Sequence, residues 1–309
     1  MMRIGVDLGG TKIEALALDE TGHELRRVRV PTPQQDYQGT VGSIAALVQD
    51  LERELGVQGT VGVGIPGTIV AATGLVKNAN STWLNGQPLQ RDLGDALSRE
   101  VRCANDANCF AISEATDGAA VGAEVVFGVI LGTGCGGGVV VRGSLLTGPN
   151  GLAGEWGHTA LPWPSADEWP GPQCYCGRRG CLETWISGPG FERDFQRVTG
   201  RSLRSAEIVA AAAAGDAEAE AVLVRLEDRI ARGLSTVVDI LDPDVVVLGG
   251  GLSRVDRLYS GSISLRLRDY GFGGGVQTPI RRNLHGDSSG VRGAAWLWPG
   301  VPLAHPTQR

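Results

Sequence analysis

The chain has 309 residues, 42% apolar and 20% charged, which is long enough for two folded units and typical of a globular protein. A net charge of −6 argues against a nucleic-acid or anionic-membrane partner, either of which would want a basic patch. The longest uncharged apolar run, residues 125–141, is cut by six glycines and is too short to span a bilayer.

Residues 3–8 form a short apolar strand that ends in Asp7-Leu8-Gly9-Gly10-Thr11-Lys12. A strand resumes over 13–19, and Thr21-Gly22 predicts a hairpin turn into 24–30. The backbone amides of Gly9, Gly10 and Thr11 can form a nest for phosphate oxygens. Asp7, at the strand end, is placed to hold a hydrated Mg²⁺. An ordinary hairpin with an incidental aspartate explains this segment equally well. Residues 40–55 carry helical periodicity in Val41, Ile44, Leu47, Val48, Leu51 and Leu55. Residues 60–65 read as a strand ending in Pro66-Gly67. Gly62, Gly64 and Gly67 match Gly-x-Gly-x-x-Gly, as do Gly132, Gly134 and Gly137. Neither set opens a helix, so the dinucleotide reading fails its own context test. Residues 77–86 are polar and aromatic, a solvated loop whose amides, Asn80 among them, can also hydrogen-bond hydroxyls. A helix follows over 88–100, with Pro88 near its start.

Residues 101–105 form a short strand ending at Asn105-Asp106, and an alanine-rich helix runs on to about residue 120. Asp106 can face a cleft, cap the helix, or do both. A second glycine-terminated strand, 125–131, leads through Leu131-Gly132-Thr133-Gly134 to a strand at 139–142. This faintly repeats the first segment and suggests two related domains sharing one phosphate.

The stretch from Gly154 to Glu183 carries the strongest signal. Three of the six cysteines, Cys174, Cys176 and Cys181, fall within eight residues, and His158 precedes them. Three thiolates and one imidazole are the ligands tetrahedral zinc prefers, and four protein ligands leave no open position, which marks a structural site. Gly177 and Gly180 let the loop fold back so that the sulfurs converge. Glu155 and Glu183 flank the ligands as candidate sugar-binding carboxylates. Thiolate ligation and the lack of a leader segment fit a reducing cytoplasm. Beyond the loop, residues 190–198, 205–214 and 216–241 read as helices, the last ended by Asp242-Pro243. Residues 244–248 form a fully apolar strand, buried on both faces. It runs into Gly249-Gly250-Gly251-Leu252-Ser253, a glycine turn entering a helix, which fits either ligand contact or simple packing. Residues 289–298 read as a closing helix.

Glycine-rich strand ends beside a carboxylate point to nucleotide phosphate. A pocket fed by Asn105, Asp106, Glu155, His158 and Glu183 points to a polyhydroxylated acceptor, since each hydroxyl both donates and accepts. Phosphoryl transfer joins the two, with Asp106 accepting the proton of the attacking hydroxyl. Zinc on one ring nitrogen of His158 leaves the other to reach a sugar oxygen.

These motifs, together with Gly154-Glu155-Trp156-Gly157-His158 and Cys174-x-Cys176-Gly-x-x-Gly-Cys181-x-Glu183, resemble the ROK family of sugar kinases and repressors across essentially the whole chain. Residues 77–86 and 285–298 look most like the bacterial fructokinase (manno(fructo)kinase) branch. The resemblance implies an α/β, two-lobed actin-like, ribonuclease H-like fold. Residues 1–107 would form the N-terminal lobe, completed by a C-terminal helix at 288–309. Residues 108–287 would form the second lobe, with the zinc loop at 154–183. It implies an ATP-dependent hexokinase acting on the 6-hydroxyl of fructose or mannose, or alternatively of glucose or an N-acetylhexosamine. It makes Asp106 the base, and Asn80, Asn105, Asp106, Glu155, His158 and Glu183 the sugar contacts. It assigns Asp7, Gly9, Gly10, Thr11, Lys12, Gly132, Thr133, Gly134, Gly249, Gly250 and Gly251 to ATP and Mg²⁺. His158, Cys174, Cys176 and Cys181 become Zn²⁺ ligands, and a homodimer is expected. The family's repressors carry a helix-turn-helix ahead of the kinase-like part; here the phosphate strand starts at Arg3, which leaves no room for one. A non-catalytic sugar sensor would not require a base at Asp106.

Overall fold

The computed structural model describes residues 1–298, so residues 299–309 of the expected closing segment lie outside the described residues. The chain forms two compact units. The first contains residues 1–122 and 138–153 and resumes at Leu284; the second contains 123–137 and 154–283. A boundary at 107/108 would divide a single helix, residues 106–116.

The first unit is built on strands β1 (Arg3–Leu8), β2 (Lys12–Leu18) and β3 (Glu24–Pro31), helix α1 (Tyr37–Leu55) and strand β4 (Thr60–Ile65). A small hairpin, β5 (Thr68–Ile69) and β6 (Val76–Lys77), precedes helix α2 (Leu89–Leu97), strand β7 (Val101–Asn105) and helix α3 (Asp106–Thr116). The sheet order is β3-β2-β1-β4-β7, antiparallel through the first three strands and parallel from β1 to β7. Alternation in the sequence becomes two unlike faces. Ile4, Val6, Leu8, Val61, Val63 and Ile65 share a buried core with Ile44, Val48 and Leu51 of α1 and with Leu89 and Leu93 of α2. The other face bears Gly5, Asp7, Glu14, Gly62 and Gly64, and the reason for its glycines comes from far along the chain. The closing helix packs straight onto Gly5 and Gly62, which pair across β1 and β4. A Cβ on Gly5 would run into the carbonyl of Val291 and, at 2.6 Å, the amide of Ala295; one on Gly62 would meet the carbonyl of Ala294. α1 begins three residues earlier than its apolar period predicts, because Asp36 caps it by accepting from the Gly39 amide at 2.8 Å.

The second sheet has the order β10-β9-β8-β11-β12. It comprises β8 (Val125–Leu131), β9 (Cys135–Val141), β10 (Ser144–Leu145), β11 (Val245–Gly249) and β12 (Ile280–Arg282), with β8, β11 and β12 parallel. β9 begins at Cys135, so it takes in the glycine run ahead of the strand expected at 139–142. Those glycines belong in a strand here because neighbours crowd them: a Cβ on Gly137 would lie 2.8 Å from the Gly154 carbonyl and 2.9 Å from Trp156.

Around β8 and β11 of the second unit lie α4 (Glu183–Ile186), α5 (Gly188–Thr199), α6 (Ser205–Ala213), α7 (Ala217–Leu241) and α8 (Ser262–Tyr270). α7 is capped by Asp216, whose carboxylate accepts from the amides of Glu218 and Ala219 at 3.1 Å, and it ends at left-handed Asp242 before Pro243. Its buried Arg229 bonds Glu168 at 2.8 Å and Asp194 at 2.6 Å, and Arg232 adds a 2.9 Å bond to Glu168. Burial opposes ionisation of Glu168, but Arg232 and Arg229 hold its carboxyl down to about 2. This ionic web ties a Pro/Trp-rich insert of the metal loop, residues 162–172, to α5 and α7. After β11 the chain makes a 3-10 turn, Gly251–Arg254, and not the expected helix; a second such turn, Asp256–Tyr259, intervenes before α8. The closing helix α9 spans Ser289–Ala295 in the first unit and packs against α3, where Gly293 abuts the backbone of Cys109. No helix among the described residues is long and apolar enough to cross a membrane.

Candidate functional site

The candidate residues divide between the two units. In the first, Asp7 sits on the α9-facing side of β1 and pairs in register with Glu14. Glu14 is buried and takes the guanidinium groups of Arg27 and Arg29, the latter at 2.7 Å. Among the described residues no such cation is bonded to Asp7. Burial, then the charges of Asp106 and Glu14, push its carboxyl up to about 6, with Lys12 pulling weakly the other way. In the Gly9–Lys12 turn the Gly9 amide donates to the Lys12 carbonyl at 3.0 Å. It is therefore spent on the hairpin, and the amides of Gly10 and Thr11 are left as the nest candidates. Thr32 and Gln34 hold the turn from behind through the carbonyls of Gly9 and Gly10.

Asn105, not Asp106, is the N-cap of α3: its side-chain oxygen accepts from the Ala107 amide at 2.9 Å, and its amide donates to the Gly67 carbonyl at 3.2 Å. Asp106 is the first helical residue, with one carboxylate oxygen 2.8 Å from the same amide. Its side chain is open to solvent, yet protein crowds around it without covering it and raises its carboxyl above the ordinary range. Bonds to Ala107 and Asn105 moderate the rise. Asn80 is exposed on a loop closed by a two-way amide clamp, in which Asn85 bonds the Ala79 amide and carbonyl at 2.9 Å each. Buried Ser81 of this loop lies against Gly10, so the loop stands beside the glycine turn.

In the second unit His158, Cys174, Cys176 and Cys181 come together, with all four ligand atoms within 4.8 Å of one another. Nδ1 of His158 is 3.6 Å from Cys174 Sγ, and Cys176 Sγ is 3.6 Å from Cys181 Sγ. A tetrahedral zinc with ordinary Zn–S and Zn–N lengths requires ligand separations of roughly 3.5–3.8 Å. The donor set and its spacing therefore fit that ion. The Arg178 amide draws the Cys176 thiol below its ordinary range. Glu183 opens α4 directly after the last cysteine ligand, and its carboxylate accepts from the Cys135 amide at 2.9 Å. A Cβ on Gly134 would sit 2.7 Å from that carboxylate, so the β8–β9 turn and Glu183 fix one another. Glu155 is exposed just ahead of His158.

The same unit has an open-mouthed cavity of about 1040 Å³ between the β8–β9 turn, α5, α6, α7 and the turn after β11. Gly132, Thr133 and Gly251 line it. Gly249 and Gly250 do not. Gly250 has φ 79°, and a Cβ there would press on the Leu131 backbone at 2.6 Å, so its glycine serves packing. Pro189, Glu192, Arg204 and Leu252 also line the cavity, and sequence reasoning missed all four.

Residues 3–301 match the ROK family. The chain belongs to the ROK family. An N-acetyl-D-glucosamine kinase of Yersinia pseudotuberculosis is 43% identical over 300 residues, covering 96% of this chain and 98% of the relative. Among solved structures, a ROK hexokinase from Thermus thermophilus aligns with a TM-score of 0.86 at 36% identity, over 96% of this chain and 97% of its own. A ROK family glucokinase from Streptomyces griseus, in complex with glucose and AMPPNP, aligns with a TM-score of 0.74 at 28% identity, over 96% and 98%. The protein is a sugar kinase of the ROK family with that family's α/β fold. None of these three is named as a fructokinase.

As a ROK kinase the chain shows two kinds of motif. The metal loop is contiguous, so its residue types and spacing announce it. The cavity is assembled from segments between Gly132 and Arg257, and its apolar lining residues look like any helix face. Only Gly132, Thr133 and Gly251 gave it away.

Proposed function

We propose that the protein transfers the γ-phosphoryl group of ATP to the 6-hydroxyl of an N-acetylhexosamine, N-acetylglucosamine first among them. The observation that carries this reading is the 43% identity, over 96% of this chain, to a kinase of that sugar. The fructose and mannose reading has no comparable support. In this reading Asp106 takes the proton of the attacking hydroxyl, its raised carboxyl bringing it nearer to a working base. Asn105 orients Asp106, and Asn80, Glu155, His158 and Glu183 hold the sugar hydroxyls. The cavity of the second unit takes the adenosine end of ATP, with Thr133 and Gly251 toward its phosphates; its size suits a ligand of that class. Asp7 holds Mg²⁺ through water, and the ion supplies charge neutralisation on the transferred group. His158, Cys174, Cys176 and Cys181 hold Zn²⁺, which pins the loop that carries Glu155 and Glu183.

A coupled assay with MgATP and a panel of N-acetylglucosamine, N-acetylmannosamine, glucose, mannose and fructose tests the reading. The highest kcat/KM is expected for N-acetylglucosamine. A higher value for fructose or glucose would overturn the choice of sugar.

A further inference from the structure

Tyr175 lies between the two ligand positions Cys174 and Cys176, and its side chain is 80% exposed, unusual for an aromatic so close to a tightly built loop. Its backbone is fixed on both sides. Cys174 donates to the Arg178 carbonyl at 2.8 Å, and the Gly177 amide donates to the Cys174 carbonyl at 3.1 Å. The side chain has little packing to leave behind. Its phenol oxygen lies 2.9 Å from Nε2 of His158, with the rings edge to face and their centroids 5.0 Å apart.

The two ring nitrogens of His158 have different duties. Nδ1 faces Cys174 Sγ within the sulfur cluster. When Nδ1 serves as a metal ligand, the ring proton resides on Nε2, which then offers a single N–H. That N–H can fully satisfy one acceptor. The Tyr175 hydroxyl stands at that position, 2.9 Å from Nε2, and is the acceptor whenever Nδ1 is the metal ligand.

We propose that Tyr175 is a built-in competitor at the acceptor site: its phenol occupies the place of a sugar hydroxyl on His158 and must be displaced before a sugar binds. The proposal rests on the reading above that His158 contacts the sugar. A neutral hydrogen bond at an exposed side chain is weak in net terms, so a sugar hydroxyl held also by Glu155 and Glu183 can replace it. A ligand lacking those further contacts cannot, and water gains nothing by doing so. Tyr175 thereby raises the threshold for every acceptor, so that only those held by further contacts bind appreciably.

The test is a calorimetric titration of N-acetylglucosamine, without nucleotide, into wild type, Tyr175→Phe and Tyr175→Leu, each assayed for bound zinc. Loss of the competing hydroxyl is expected to tighten sugar binding about 2–10-fold in both variants, the size of one net hydrogen bond. KM should fall in step while kcat stays within about 2-fold. Unchanged or weaker binding in the variants that retain metal overturns the proposal, since a phenol that helps to hold the sugar would show the opposite sign. Two variants are used so that a failure of one to fold leaves the other as the reading. If wild type turns over a different hexose, the same titration is run with that hexose. The sugar assignment then fails on the panel, whereas the Tyr175 proposal stands or falls on the titration.

Discussion

Asp7 lies near the end of β1 and Asp106 opens α3 just after β7, two strands along in the same sheet, and the charge of Asp106 is among the causes that raise Asp7 to about 6. The fold therefore prefers Asp7 neutral, whereas a role at Mg²⁺ requires it ionised. A carboxyl raised above its unfolded value of about 3.9 binds more protons folded than unfolded, so it lowers stability as pH climbs from about 4 to about 6 and keeps it lowered above that. Asp7→Asn should accordingly melt a few degrees higher than wild type at pH 8, with the gap narrowing below about pH 6 and closing by about pH 4, while turnover falls. Thermal melts across that range decide it; a variant that melts lower at pH 8 would show that Asp7 is stabilised where it lies. Asp106 differs in being open to solvent, with its capping work done by Asn105. Asp106→Asn keeps the shape and removes the base. It should lower kcat by about 10²–10⁴-fold and leave the sugar dissociation constant nearly unchanged. Near-normal turnover would take Asp106 out of the chemistry.

At the scale of elements, the glycines of β1 and β4 show how far sequence reasoning reaches. Gly62, Gly64 and Gly67 fail as a dinucleotide fingerprint for a reason visible in the sequence, because no helix follows them. What they are for is not visible, since α9, the helix that lies on Gly62, comes more than two hundred residues later. The strands themselves were legible from alternation, and α7 from its period and Asp242-Pro243. The helix expected after Gly251 was not there, because a glycine turn followed by apolar residues has the same signature whether a helix or two 3-10 turns come next. Gly5→Ala tests the packing. Its methyl would meet the backbone of Val291 and Ala295, atoms that cannot rotate aside. The cost should be about 1–3 kcal/mol, as for other overpacked sites, read as a lower denaturation midpoint. Gly42→Ala is the control: it lies on α1 with nothing within 4 Å, and should stabilise by about 0.5–1 kcal/mol. If both variants lose stability alike, close approach of α9 is not what keeps Gly5 a glycine.

For the molecule as a whole, each compact unit has its own core, and the thiolate cluster belongs to the second alone. The loop bearing it has few apolar anchors of its own besides Trp156, Leu161 and Leu182; Trp163, Trp169 and Tyr175 are exposed. The ionic web from Glu168 to Arg229 and Arg232 fixes one end of the insert, and the ligand set fixes the other. Metal binding to such a loop is part of its folding free energy, so removal should open it locally. Chelation followed by hydrogen exchange is expected to cut amide protection across residues 154–186 by at least about tenfold, while β1 and β4 keep theirs. Re-adding zinc should restore the loss. Cys176→Ser, which deletes one ligand and little buried area, should reproduce the chelated pattern and weaken sugar binding with it. Protection lost equally in both units would mean that the ion governs global stability, and sugar affinity that survives metal loss would separate the metal from the acceptor site.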